Sequence, residues 1–342
     1  MHVIGLDIGG ANLKAATTEG HAATRPFEIW KEPARLAAEL RGLLDGLGPH
    51  RVIAVTMTAE LADCFVTKAE GVGFILEAVE QVASSTPVYV WQTGAEFVTP
   101  AVARDIPHLV AAANWHALAT WLGRMAPRGS ALLIDVGSTT TDIIPLSDGV
   151  PVPSGLTDLE RLQSGELVYS GVRRTPVCAV AHSVPFRDGY CPLAAESFAT
   201  TLDVYLVLGE IPGNPGDRQT ANGRPATVEE ARVRLARMLC GDASEVPAAD
   251  VEVLARFIAD VQRQRISAAA NRVLTAAGRA PVETVLTSGS GAFLAERIAA
   301  EHPRLRTASR VSLNDVFDAR CSEAACAFAV ARLAAERLGD FL

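Results

Sequence analysis

Positive charge is in deficit in this sequence. It holds 31 Lys and Arg against 39 Asp and Glu, a formal net charge of -8. Nucleic acids and anionic membranes bind basic surfaces, so neither is expected as a partner, although a local basic pocket is compatible with the balance. Long apolar runs are also missing: no stretch of about 18 apolar residues occurs, so no membrane span is expected. The opening MHVIGLDIGG lacks a charged segment followed by a long apolar one. No secretory leader is read there, and a cytoplasmic location is expected. The six cysteines are scattered and contain no CxxC pair, so they read as reduced thiols. Cys178, His182 and Cys191 have no convincing metal-ligand spacing.

What is present is a globular composition, 49% hydrophobic and 20% charged, over 342 residues. That length favours two domains or two lobes. Val3 to Ile8 reads as a strand, Gly9-Gly10 as a turn, and Leu13 to Thr18 as a second strand. Leu36, Leu40, Leu43, Leu44 and Leu47 have helical spacing, which predicts a helix over 33–47. Strands at 51–58 and 88–93 alternate with helices at 71–83 and 110–126, so the fold class is layered α/β. Beyond residue 150 the pattern becomes mostly helical, with long helices over 227–240 and 248–278. A Pro/Gly-rich loop, 209–225, is too long to be an idle connection. VETVLTSGSGAFLAERIAAE, 282–301, reads as strand, glycine turn and helix, and an Ala-rich helix over 322–338 closes the chain. Small side chains let such a helix pack closely.

The sequence repeats itself at an offset of 128: IGLDIGGANLKAA (4–16) lies over LLIDVGSTTTDII (132–144). Asp7 then meets Asp135, and Gly9 meets Gly137. Walker and dinucleotide loops are followed by helices, whereas a strand follows the turn in both of these segments. A glycine hairpin exposes backbone N–H groups, and flanking hydroxyls add donors, so together they can cradle phosphate oxygens. The neighbouring carboxylate repels phosphate, and makes sense facing a cation, a metal-bound water or a reacting hydroxyl. As isolated features these are ordinary hairpins with Asp and Thr as turn residues. As a pair they predict two phosphate-binding turns facing each other across a cleft.

On these residues the chain resembles the two-lobed actin-like ATPase (ribonuclease H-like) superfamily. Residues 3–18 and 131–146 look like its two phosphate motifs, 284–294 like its adenosine motif, and helices near 110–123 and 322–338 like its hinge helices. The resemblance implies an N-terminal lobe over 1–127 and a C-terminal lobe over 128–342, with a mostly helical insertion at about 150–280. A narrower resemblance rests on DIGGANLKAA, AAANWHALA, DVGSTTTDIIP, GELVYSGVRRTPVCA, DVYLVLGEI, TANGRPAT and TSGSGAFL. Together these look like the hydantoinase/oxoprolinase-related family tied to tetrahydromethanopterin-linked one-carbon transfer, whose archaeal members are methanofuran-biosynthesis synthases. Asn222 departs from the expected TADGRP, which removes a carboxylate there.

The resemblance implies a transferase that condenses an aminomethylfuran methyl diphosphate with a tyramine- or tyrosine-type phenol, releasing diphosphate. Mg²⁺ is the expected metal, held by Asp7 and Asp135, which are also the catalytic candidates. ATP is not expected, and a homodimer is left open. The diphosphate candidates are Gly9, Gly10, Asn12, Lys14, Gly137, Ser138, Thr139, Thr140, Arg173, Arg174, Ser288, Gly289 and Gly291. Asp142 is read as closing its hairpin, His116 and the tryptophans as core, and Asp203 as an acid that needs a buried partner. The rival readings are an ATP-dependent kinase, a hydantoinase/oxoprolinase-like enzyme, and a scaffold without activity; retention of both aspartates opposes the last.

Overall fold

The structure, a computed structural model, describes residues 2–278, 281–317 and 319–339. It is built around two large sheets. In the first, β1 (Val3–Ile8), β2 (Asn12–Thr17) and β3 (Ala22–Pro26) form an antiparallel meander. β4 (Val52–Met57) and β5 (Val88–Gln92) continue the sheet in parallel from β1, and β6 (Glu96–Val98) closes it. α1 (Leu36–Asp45) and α2 (Lys68–Ala83) cover one face. Every residue of β4 is buried. Ile53 and Val55 pack toward those helices, while Val52 and Ala54 join a different cluster on the opposite face. That two-residue alternation between two cores explains why the strand is apolar at every position but Thr56.

The predicted helix over 110–126 is interrupted. Ala112 has φ 48, and α3 runs only over Asn114–Leu122. Nothing in the Ala-rich sequence signals the break; a bridge between Met57 and Ala111 holds the backbone out of the helix.

The second sheet repeats the first. β7 (Ser130–Val136) and β8 (Thr141–Ser147) form the hairpin, extended by β9 (Val150–Pro151) and, past α4 (Asp158–Ser164), by β10 (Leu167–Val168). The small hairpin β11 (Ser183–Phe186) and β12 (Gly189–Pro192) stands apart with α5 (Thr201–Val207), α6 (Val228–Arg237) and α7 (Ala248–Ala276). The chain re-enters the sheet at β13 (Thr284–Ser288), parallel to β7, and after α8 (Ala292–Glu301) adds β14 (Ser309–Ser312). The order β10-β8-β7-β13-β14 has the connectivity of β3-β2-β1-β4-β5. This doubled topology is the two-lobed actin-like ATPase fold with a mostly helical insertion.

The closing helix is split at Ala324, and its long part is α9 (Ala325–Leu338). It packs on α3, and residues from both helices and both sheets form one apolar cluster, so the lobes share a core. A Cβ on Gly5 of β1 would overlap the backbone carbonyl oxygen of Ala327, so β1 and α9 meet at a distance only glycine permits. Among the described residues no helix is long and apolar enough to cross a membrane.

Candidate functional site

Both hairpins end in the same turn. Gly9 N–H donates to the Asn12 carbonyl at 3.0 Å, and Gly137 N–H to the Thr140 carbonyl at 2.8 Å. The strand register is shared too: Asp7 lies opposite Lys14, and Asp135 opposite Asp142. Thus the 128-residue repeat extends to hydrogen bonds and to side-chain facing.

Each turn is braced from below. Thr58 and Ala59 N–H groups, just past β4, donate to the Ile8 carbonyl at 2.9 and 3.1 Å, and Ile29 N–H donates to Gly10 at 3.0 Å. Around the second turn, Val172 N–H donates to Gly137, and the Arg173 and Arg174 N–H groups donate to Ser138 at 3.0 and 2.9 Å. A Cβ on Gly171 would sit 2.5 Å from the Gly137 carbonyl oxygen, so this loop lies against the turn. Gly291 N–H donates to Val136 at 2.8 Å. Gly289, with φ 90, approaches so closely that a Cβ would be 2.6 Å from Asp135 Oδ1. Ser288 is the register partner of Asp135 on β13. The second turn, the 171–174 loop and the 288–291 turn therefore form one wall. Ser138 and Thr139 hydroxyls lie 3.4 Å apart on it.

The carboxylates are unusual. Asp7 Oδ1, Asp135 Oδ1 and Ser288 Oγ are buried without a hydrogen-bond partner. These three oxygens have hydrogen-bonding capacity that the protein's own groups do not use. Burial raises the Asp7 carboxyl, and Lys14 offsets part of the effect. Asp135 is pushed up to about 6, chiefly by burial and then by Asp142, with a further push from Asp7. Ser288 and Lys14 pull it down, although the serine hydroxyl lacks the geometry of a formed hydrogen bond. Both acids and Lys14 therefore act in one electrostatic field.

The arginines are partly committed. Arg173 pairs with Asp217 of the 209–225 loop at 2.5 Å. The Arg174 guanidinium lies 5.2 Å from the Trp30 ring centroid, reaching from the second hairpin's wall to the segment beside the first. Other candidates resolve as structure. Asp142 pairs at 2.5 Å with buried Arg161, whose guanidinium stacks 4.0 Å from the Trp115 ring. Asp203 accepts from Arg234 at 2.7 Å, and Arg234 also donates to Asn222 at 3.2 Å. Tyr205 donates to Gln262 at 2.6 Å inside the core. His116 accepts from Trp91 at 3.3 Å, and burial pushes it down to about 4. Among the described residues no cluster of three or more His, Cys, Asp or Glu could hold a metal.

Sequence reasoning missed Glu60. It is buried, burial pushes it up to about 7, and its Oε2 has no partner. The available signal was an acid just past a largely apolar strand, RVIAVTMTAE, much as Asp7 and Asp135 end theirs.

Residues 51–337 match the family described as hydantoinase/oxoprolinase. A Methanocaldococcus jannaschii protein is 34% identical over 339 residues, 98% of each chain. It is named as synthase of a furanyl-methanamine that carries a phenoxymethyl group with a gamma-glutamylaminoethyl tail. A Methanococcus vannielii protein of the same name is 40% identical over 119 residues, 35% of this chain and 53% of that one. Among solved structures, nucleotide-free acetone carboxylase superposes with a TM-score of 0.51 over 97% of this chain and 70% of that one. At 10% identity that likeness is one of fold alone. Kinship running the length of the chain, over a doubled hairpin fold, decides the matter: the protein belongs to the hydantoinase/oxoprolinase family.

Proposed function

We propose that the protein is a transferase that joins an aminomethylfuran methyl diphosphate to a tyramine- or tyrosine-type phenol, releasing diphosphate. The observation that carries this reading is 34% identity over 98% of the chain to a synthase whose product name contains that aryl furfuryl ether. The site supports it. Two glycine turns, the second flanked by hydroxyl donors, suit a diphosphate, and Gly9, Gly10, Asn12 and Lys14 face it from the first lobe. Gly137, Ser138, Thr139 and Thr140 face it from the second, with Ser288, Gly289 and Gly291 beside them.

Mg²⁺ binds through one or two carboxylates, completed by waters and substrate phosphates. Asp7 and Asp135, each with a buried orphan oxygen, fit that demand and not a closed tetrahedral zinc site. When bound, the ion supplies positive charge to the departing diphosphate. The turn amides and Lys14 hold the diphosphate and stabilise the charge it gains. Arg174, held beside the second turn and packed on Trp30, adds positive charge for the diphosphate. As the ester C–O bond lengthens, the furan ring oxygen shares the positive charge on the furfuryl carbon. The phenol oxygen attacks that carbon and gives up its proton.

The test is direct. With both substrates and Mg²⁺, one diphosphate should appear per ether formed, with ATP neither needed nor consumed. Asp135→Asn should keep the melting temperature near wild type and lower kcat at least about a hundredfold, the lower end of such effects. Ether formation only with ATP hydrolysis, or normal turnover by Asp135→Asn, would overturn the reading.

A further inference from the structure

The phenol must lose a proton, and the two aspartates placed against the diphosphate are poorly suited to take it, because a carboxylate that holds a cation is a weak base. A different buried acid follows the strand that pairs with β1. Thr56 on β4 is the register neighbour of Asp7, and four residues later comes Glu60. Thr58 and Ala59 tie this segment to the residue after Asp7. Thr56 Oγ1 and Glu60 Oε2 are, like Asp7 Oδ1, buried without partners. Three of the first lobe's unpartnered oxygens therefore lie on β1, on the adjacent β4 and just past β4.

Glu60 is also held in place. A Cβ on Gly71 of α2 would overlap the Glu60 backbone, so the helix is packed directly on it. The backbone of Ala112, the residue with the left-handed φ of 48, lies close enough to lower its carboxyl. An alanine in that region carries strain, and its surroundings must hold it there. From the second lobe, Asp158 at the start of α4 faces Glu60, and Lys68 of α2 faces both. Asp158 in turn pairs with Arg161, which binds Asp142 on the second hairpin. Glu60 thus sits just past the strand that pairs with β1, with charged groups of both lobes around it.

We infer that Glu60 is the general base of the reaction, accepting the phenolic proton on Oε2 as the phenol oxygen attacks the furfuryl carbon. The inference rests on the ether-forming reading above. The phenol O–H bond breaks and its electron pair forms the new C–O bond. The ester C–O bond breaks, its electron pair leaves with diphosphate, and the proton stays on Glu60 until water removes it. Nothing is oxidised or reduced. Burial carries the Glu60 carboxyl up to about 7, with Asp158 adding to the rise and Lys68 and two backbone N–H groups opposing it. A base poised near neutral pH combines an ionised fraction with real proton affinity.

Steady-state kinetics of the full-length protein with Mg²⁺, the furan diphosphate, and tyramine or its more acidic ring-fluorinated analogues test this. Glu60→Gln should lower kcat for tyramine about 10²–10⁴-fold, the usual weight of a general base. The KM for the furan diphosphate should stay within about threefold, since the residue is assigned no phosphate contact. The limb of the rate profile that rises through pH of about 7 should vanish. Fluorination should recover rate in Glu60→Gln more than in wild type, because an acidic phenol needs a base less. Wild-type kcat in Glu60→Gln, or an equal loss for all phenols with the limb retained, would overturn the assignment. If that variant fails to fold, Glu60→Asp takes its place, with a smaller loss and the same dependence on phenol acidity expected; indifference to phenol acidity would again overturn it. Wild-type protein that forms no ether would sink the ether reading and this inference together, whereas wild-type turnover with an unaffected Glu60→Gln would sink this inference alone.

Discussion

His116 and Glu60 titrate in opposite senses on folding. Burial lowers His116 from 6.5 to about 4, so its contribution is present above pH 6.5 and lost as pH falls toward 4. Glu60 rises from 4.5 to about 7, so its contribution is present below pH 4.5 and lost as pH rises through 7. Glu60→Gln, which keeps the shape and removes the charge, should therefore be more stable than wild type at pH 8. The gain should be about 3 kcal/mol, because each tenfold change in proton affinity is worth roughly 1.4 kcal/mol, and it should disappear near pH 4.5. Urea titrations at the two pH values check it, and a gain independent of pH would show that burial is not its origin. Asp203 and Arg234, both buried, offer the opposite case. Arg234→Met should leave Asp203 buried and uncompensated and cost about 3–5 kcal/mol in denaturant unfolding. The need for a partner is legible in the sequence, because an acid stands in an apolar helix. Its identity is not, since Arg234 lies 31 residues away. Nor does the sequence say why Asn222 suffices: it accepts from Arg234 and from the Arg224 N–H, so an amide oxygen serves that position without adding charge.

Elements with a strict period read cleanly. The two hairpins were legible because strand, glycine turn and strand recur at one offset, and their shared register follows. The tight packing of the last helix was legible in its alanines; its partner, Gly5, was not, because a glycine within a strand does not reveal what lies above it. Gly5→Val should push α9 off β1. Overpacking of this kind costs about 1–3 kcal/mol or more, and a calorimetric melt should show the loss. The breaks at Ala112 and Ala324 run against alanine's helical preference, so tertiary contacts decided them and no local signal exists. The 209–225 loop stood out by length alone; its tether, Arg173 to Asp217, joins segments that are 44 residues apart.

At the scale of the molecule, the repeat foretold two equivalent sheets, but their mutual placement comes from α3 and α9, distant in sequence and shared by both lobes. Arg174 and Trp30 bring a residue beside the second turn against the segment that follows the first hairpin. Arg174→Ala should raise the apparent constant for the furan diphosphate about ten- to hundredfold, the effect of losing a charged contact worth about 1.5–3 kcal/mol. The phenol constant should hardly move; kinetics with a selective phenol defect would remove Arg174 from the diphosphate side. The duplication is also imperfect in one telling place. Where Asp7 faces Lys14, its counterpart Asp135 faces Asp142, which is already bound to Arg161. On the proposed reaction, two like turns could accept a diphosphate in either direction, and only one direction would aim the ester oxygen at the phenol. A cation in one half and a neutralised acid in the other give the cleft a head and a tail. On the proposed reaction, the bound group would then have one heading, set where Lys14 in one half of the repeat is replaced by Asp142 in the other.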